Sequence, residues 1–413
     1  MGGDFLQLLG RTDLLDRQAK LLLVISTLFA MSTALSNTFV NVYLWRIKSD
    51  YAVIGYFNLF HYLAMAAAFV LGGKLAKNVD RVVAIRLGVL IHALFYLTVL
   101  WLGKSSAQYI AGLGIFLGIG AGFFWLAFNV LYFEITNRDN RDIFNGVDGL
   151  LTSGAGIVAP VFSGWLITRL NDLVGYRIIF AVSFAIFAIA VGVSLFLKRR
   201  DARGQYRLDR IFRLSARRGG HWFWVSLAMV AQGVREGVFV FLIGLLIFVM
   251  TDNELILGSF ATVSSFVSLV AFFVVGRALK KRWRNTFMVV GAGLLGVVVL
   301  PFVFKAGTLQ LFILGVGAAL FYPMYYVPLT SKVFDVIGES QKTAKLRVEY
   351  VVTRELALNV GRVASIALFL IVVSRTTEVD HLKWILFAVG FAQVFAALFM
   401  RRVHVVPVED RSA

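Results

Sequence analysis

The sequence predicts an all-α polytopic membrane protein, with twelve transmembrane helices in two pseudo-symmetric six-helix bundles. Three observations predict it. The composition is too apolar for a soluble chain, the apolar runs have membrane-spanning length, and the second half repeats the first.

The composition sets the class. Of 413 residues, 59% are hydrophobic and 15% charged, with a mean hydropathy of +0.80. A soluble domain carries about 25% charged residues. A soluble fold would leave large apolar patches in water, which is rare. The net charge of +18 would suggest nucleic acid on a soluble protein. Here the basic residues lie in short loops between apolar runs, the pattern of cytoplasmic loops, so nucleic acid is not an expected partner. No cysteine is present, which removes disulfides and thiol chemistry.

A hydrocarbon core about 30 Å thick needs about 20 apolar residues per helix. Runs of that kind cover 21–44, 52–76, 82–102, 107–134, 143–169 and 175–197 in the first half. In the second half they cover 222–250, 256–278, 285–304, 309–333, 348–374 and 382–401. A transmembrane β-barrel would instead show alternating segments of about 10 residues. The run from Leu21 is too long for a cleaved signal sequence and reads as a retained first span.

The domain plan follows. Residues 1–20 form an N-terminal segment, 21–197 one bundle, 198–221 a basic linker, 222–402 the second bundle and 403–413 a tail. Leu208, Ile211, Phe212 and Leu214 are spaced for a short amphipathic helix on the membrane surface; a solvated linker is the plainer reading. Alternate loops carry most of the Lys and Arg, with Arg46, Lys48 and Arg375 as exceptions. Lysine and arginine favour the inside, so both termini are expected in the cytoplasm and the chain in the cell membrane. A monomer bathed in membrane lipid is expected.

The repeat has an offset of 203, the separation of Gly55 and Gly258. Without a gap it carries Gly73 onto Gly276, Lys77 onto Lys280 and Arg81 onto Arg284. Gly118–Trp125 (GIGAGFFW) likewise resembles Gly315–Tyr322 (GVGAALFY). Duplicated helix bundles are a common plan of alternating-access transporters.

Twelve spans, a six-plus-six repeat and a basic central loop together resemble the major facilitator superfamily, of the bacterial type. The family's loop between the second and third helices has the form G-x-L-a-D-r-x-G-R-[KR]. This chain matches it at Gly73, Leu75, Ala76 and Arg81, with Lys77 in place of the usual Asp and Asp80 in place of Gly. Gly276–Arg284 is a more degenerate second copy. The resemblance implies that Gly73, Arg81, Gly276 and Arg284 serve as gating latches; enforcing topology alone is the other reading. In the fifth span, Gly156-x-x-x-Pro160-x-x-x-Gly164 resembles the glycine–proline motif of the family's proton-coupled drug antiporters, and Gly156 and Pro160 join the gating set. The arginine that such antiporters carry in the fourth span is missing; its position falls near Gly114.

Ionisable residues within spans are costly and mark function by default. They cluster in the second half. Gln232, Arg235, Glu236 and Phe239 follow i, i+3, i+4, i+7 in the seventh span. Arg354 and Glu355 lie deep in the eleventh span, where Glu355, Asn359 and Arg362 form a stripe. Glu236 and Glu355 are the candidates for proton coupling. Gln232, Arg235, Asn359 and Arg362 are candidate substrate contacts, the arginines as anion sites or counter-charges. A static ion-pair network joining the two helices is the alternative. Softer cavity candidates are Asn37 and Asn41, Trp125 and Asn129, and Tyr322 and Tyr326 beside Tyr325 and Pro323. His61 and His92 read as packing residues. Asp148 and Glu134 are expected to pair with Arg138 or Arg141.

No phosphate-binding glycine loop, metal-ligand spacing or catalytic domain is visible, so neither an enzyme nor a cofactor is expected. The expected function is secondary active transport of a small or amphipathic solute by alternating access, with proton coupling. The substrate classes left open are a hydrophobic cation, an anionic or sugar-like metabolite, and a lipid or glycolipid moved by a flippase of the same fold. A non-transporting sensor or scaffold is the alternative of another class.

Overall fold

The computed structural model describes residues 15–136, 140–170, 173–199, 205–339, 345–376 and 378–403. In chain order the helices are α1 (Arg17–Lys48), α2 (Tyr51–Asn78), α3 (Arg81–Leu102), α4 (Ile110–Ile135), α5 (Arg141–Arg169) and α6 (Val174–Ser194). The linker helix α7 (Leu208–Ala216) follows. Then come α8 (His221–Thr251), α9 (Glu254–Ala278), α10 (Arg284–Val297), α11 (Leu300–Phe304), α12 (Thr308–Ile337), α13 (Arg347–Val373), α14 (Val379–Gly390) and α15 (Ala392–Arg401). Among the described residues, twelve segments are long and apolar enough to cross a membrane, and they coincide with the twelve apolar runs.

Local chemistry sets the helix ends. The Asp16 carboxylate accepts from the Ala19 amide at 2.7 Å and starts α1. Asp80, which replaces the family's glycine, caps α3 by accepting from the Val82 amide at 2.8 Å. The repeat reaches down to the backbone. Ser49 and Asp252 end α1 and α8, and both adopt left-handed conformations, with φ of 50° and 47°. Each is followed by a cap one residue later. Asp50 accepts from the Ala52 amide, and Asn253 from the Leu255 amide. All three pairs keep the 203-residue offset.

The chain forms two compact units. Unit 1 holds residues up to Ser49, Leu63–Tyr206 and Asn253–Thr262. Unit 2 holds Asp50–Tyr62, Arg207–Asp252 and the residues from Val263. The start of α2 thus belongs to unit 2 and the start of α9 to unit 1.

Unit 1 is organised by rings and serines. Phe29 stacks on Phe124 and meets His92 and Phe187 edge-on. His92 is buried there with its Nδ1 on the Gly88 carbonyl, as a packing residue. Ser32 and Ser183 each donate to the other's carbonyl and tie α1 to α6. Arg81 binds Glu134 at 2.7 Å, joining the start of α3 to the end of α4. Arg81 is a partner of Glu134 that loop spacing does not suggest, beside the expected Arg138 or Arg141. Arg138 lies outside the described residues, as does the Arg141 side chain. The Asp148 carboxylate neighbours the Ser26 hydroxyl, and its Oδ1 is buried without a partner. Arg86 donates to the Ser194, Leu195 and Leu197 carbonyls and closes the end of α6.

The first turns of α9 lie directly on α5. A Cβ at Gly258 would fall on the Pro160 carbonyl, and one at Gly164 on that of Glu254. Only glycine permits that approach. The Thr262 hydroxyl donates to the Ile157 carbonyl at 2.7 Å. At the same end Glu254 accepts from Arg46 Nη2 at 3.0 Å and from the Tyr176 hydroxyl at 2.8 Å. Arg46, an exception to the charge bias of the loops, is therefore neutralised within the fold.

Unit 2 repeats the Arg81 device: Arg284 binds Asp335 at 2.8 Å, joining the start of α10 to the end of α12. Lys332 donates to the Met400 carbonyl at 2.6 Å, as Arg86 does for α6. Helix α7 forms as the spacing predicted, but protein rather than membrane takes up its apolar face. Ile211 is fully buried, Leu214 packs on the same core and Phe212 is exposed. On the outer face Arg213 bonds Asp209 at 2.6 Å and holds that carboxyl below its usual range. The Glu349 carboxylate anchors the linker by accepting from the Arg207 amide at 3.0 Å.

The Arg46–Glu254–Tyr176 cluster generates a test. Glu254→Gln or Arg46→Gln alone is expected to destabilise by about 1–3 kcal/mol, because the first weakens the acceptor of the buried Tyr176 hydroxyl and the second leaves the buried Glu254 carboxylate without its counter-charge. The double variant should recover part of that loss in thermal unfolding of the detergent-solubilised protein. Strictly additive losses would show that the two side chains act independently.

Candidate functional site

The candidate site lies in unit 2, where α8 crosses α13. Its geometry begins with missing side chains. A Cβ at Gly233 would collide with the Leu358 carbonyl, and one at Gly361 with the Val230 carbonyl. The two backbones touch, which is how membrane helices gain van der Waals contact without a hydrophobic drive. Gly233 and Gly237 form a small-x-x-x-small pattern that is legible in the seventh span. The consequence is that short polar bridges span the crossing.

Arg362 of α13 reaches Glu236 of α8 through Nη2 at 2.7 Å and Nε at 3.1 Å, both to Oε2. Its Nη1 lies 3.5 Å from Glu355 Oε2 and donates to Asn359 Oδ1 at 3.2 Å. Arg354 binds the other Glu355 oxygen at 2.7 Å. Gln232 donates to Glu236 Oε1 at 2.7 Å and accepts from the Tyr325 hydroxyl at 3.1 Å. The Asn359 amide donates to the Glu355 carbonyl. Tyr62, from the start of α2, stands under the Arg362 guanidinium at 5.1 Å. Of the predicted residues, Gln232, Glu236, Glu355, Asn359 and Arg362 thus form one network. Arg354, Tyr325 and Tyr62 complete it.

Arg235 is different. It lies 4.1 Å over the Phe239 ring and is only 6% exposed. Its Nε and Nη2 are buried and bonded to nothing. Tyr322, Tyr325 and the Glu236 carboxylate, which Arg362 and Gln232 hold, are its polar neighbours, and Tyr326 stacks on Tyr322 at 5.0 Å. The crossing therefore carries three arginines, Arg235, Arg354 and Arg362, against two carboxylates, Glu236 and Glu355. Both carboxylates are taken by Arg354 and Arg362, and the surplus positive charge sits on Arg235.

The remaining candidates are in unit 1. Asn41 is buried, Asn37 is exposed, and Trp125 is 41% exposed at the edge of the ring cluster. Asn129 donates to the Trp125 carbonyl at 2.7 Å. Of the gating candidates, Pro160 lies at the α5–α9 contact, Arg81 and Arg284 in the paired ion bridges, and Gly73 is buried in α2. Gly156 is partly buried, and a Cβ at Gly276 would meet open space.

Known proteins place this architecture. A family model described as Major Facilitator Superfamily matches residues 22–341. The chain is 42% identical over 357 residues to "Uncharacterized protein YqgE" of Bacillus subtilis (strain 168), covering 86% of this chain and 83% of that one. It is 41% identical over 201 residues to "Uncharacterized protein in sodM 3'region" of Geobacillus stearothermophilus, covering 49% of this chain and 94% of that one. Among solved structures, a D-xylose–proton symporter shares the fold with a TM-score of 0.71 at 15% identity, over 94% of this chain and 97% of that one. The nucleoside transporter NupG gives 0.69 at 13% identity, over 94% and 100%. The chain belongs to the major facilitator superfamily: it is a multi-pass membrane protein and a secondary transporter rather than an enzyme.

Proposed function

We propose that this transporter carries a small organic anion by alternating access, that Arg235 receives the anionic group, and that Glu236 and Glu355 couple the movement to protons. The observation that carries the reading is the surplus charge at the α8–α13 crossing. A buried charge without a partner costs several kcal/mol. A cation over a desolvated aromatic face recovers about 2 kcal/mol, which leaves most of that cost in place. A carboxylate or phosphate from the solute would supply the missing charge. A guanidinium suits such planar or tetrahedral oxyanions through paired N–H donors. Tyr322 and Tyr325 offer further donors beside it.

Coupling follows from the Arg362 fork. Glu236 holds two of its donors, and Glu355 meets the third nitrogen. A proton on Glu236 would cancel its charge and free Arg362 to swing toward Glu355 or toward a second oxyanion. Proton binding and solute binding would then act on one cationic cluster. The basic loops face the cytoplasm in this reading, by the positive-inside rule. Gly73, Arg81, Gly276 and Arg284, with the Gly156 and Pro160 segment, serve as the moving contacts. Within unit 1 Asn37, Asn41, Trp125 and Asn129, and within unit 2 Tyr322, Tyr326 and Asn359, serve as further solute contacts.

Two outcomes test this. In proteoliposomes, Arg235→Gln should raise the apparent KM for an anionic solute by about 30-fold or more, and Arg235→Lys should restore part of it. Equal transport of a neutral sugar or nucleoside by the wild type and Arg235→Gln would overturn the anion assignment. Glu236→Gln should abolish accumulation driven by a pH gradient while sparing solute counterflow. Undiminished pH-driven accumulation in both Glu236→Gln and Glu355→Gln would remove the coupling role.

A further inference from the structure

A cavity of about 540 Å³ opens in unit 2 at the turn between α7 and α8. It lies at the start of the span His221–Thr251, far along α8 from Arg235. Its lining includes Arg217, Arg218, His221, Trp222, Glu339 and Tyr350.

Four features of this cavity favour an anion. Arg217 and Arg218 are exposed and project from the turn. Gly219, at φ 84°, and Gly220 let the chain reverse directly into α8. Helix α8 then begins without a side-chain cap. The amides of His221 and Trp222 have no carbonyl within the helix to bond, and the positive end of the helix dipole lies beside the two arginines. Finally, Trp222 is only 4% exposed and held edge-on by Tyr350 at 4.5 Å, and its indole Nε1 has no hydrogen-bond partner. A buried N–H donor left unsatisfied is uncommon and needs an explanation. One carboxylate opposes this set: Glu339 lies 3.4 Å from His221 Nδ1.

We infer that this cavity binds a phosphate-type anion at the membrane face, independently of the solute carried at Arg235. The arginines supply charge, the α8 amides and the Trp222 indole supply directed donors, and tetrahedral oxygens match donors arriving from several sides. An anionic lipid headgroup and a free phosphate present the same chemistry. Phe212, exposed on the neighbouring helix α7, would suit the acyl side of a lipid. Occupancy by a lipid would pin the linker turn to the start of α8, and so tie the basic linker to the membrane.

The test uses the full-length protein in mixed micelles of phosphatidylglycerol and phosphatidylcholine, with retained lipid read by native mass spectrometry. Thermal unfolding with inorganic phosphate forms the second arm. The wild type should retain phosphatidylglycerol in preference to phosphatidylcholine. R217Q/R218Q should weaken that retention about 30-fold, and R217K/R218K should keep most of it. W222F, which keeps a ring in the core, should weaken it about threefold through the lost donor. Stabilisation by inorganic phosphate that vanishes in R217Q/R218Q, without lipid preference, would keep the site and identify a soluble ligand. Equal phosphatidylglycerol retention and equal phosphate response in the wild type and R217Q/R218Q would overturn the proposal.

Discussion

The close crossing of α8 and α13 sets the chemistry of this protein. Gly233 and Gly361 remove the side chains that would hold the two backbones apart. Only then can Arg362 on one helix clasp Glu236 on the other through two donors. In hydrocarbon no water competes for these groups, so each charge must be answered by protein. The network answers all of its charges but one. On the proposed reading, that imbalance, rather than the presence of charge as such, separates a structural clamp from a binding site.

Elsewhere several charges within the fold are matched in pairs. Arg46 is matched by Glu254, Arg81 by Glu134 and Arg284 by Asp335. Arg86 and Lys332 spend their donors on helix-terminal carbonyls. The same solutions recur in both halves: an arginine opening the third helix of a half meets a carboxylate at the end of the fourth. The left-handed residues Ser49 and Asp252, followed by the caps Asp50 and Asn253, show the repeat preserved at single-residue resolution. Against this regularity, Arg235 stands out with two guanidinium nitrogens buried and unbonded.

Much of this was legible in the sequence because hydrocarbon thickness imposes a fixed length on apolar runs. The twelve spans and the offset between halves needed no tertiary information. The stripe of Glu355, Asn359 and Arg362 was also readable, since helical spacing alone puts those residues together. Partner choice was not readable. The Arg81–Glu134 bridge joins residues 53 apart in sequence, and no spacing rule points to it. The role of Glu254 escaped notice because it sits at a helix start, where a carboxylate is ordinary. The burial of Ile211 in protein is not encoded by its spacing, because periodicity shows that a face is apolar, not what covers it. Which of Arg235 and Arg362 is paired depends on side-chain directions across a glycine contact, and no spacing rule encodes that.

The central claim is that Arg235 awaits a negative charge. The most direct measurement compares a carboxylic acid with its own methyl ester as ligands of the wild-type protein, across a panel of small acids, by thermal unfolding in detergent. The account predicts that at least one acid raises the Tm and that its ester, equal in shape but uncharged, does not. Equal stabilisation by acid and ester, or stabilisation by neutral solutes alone, would contradict it.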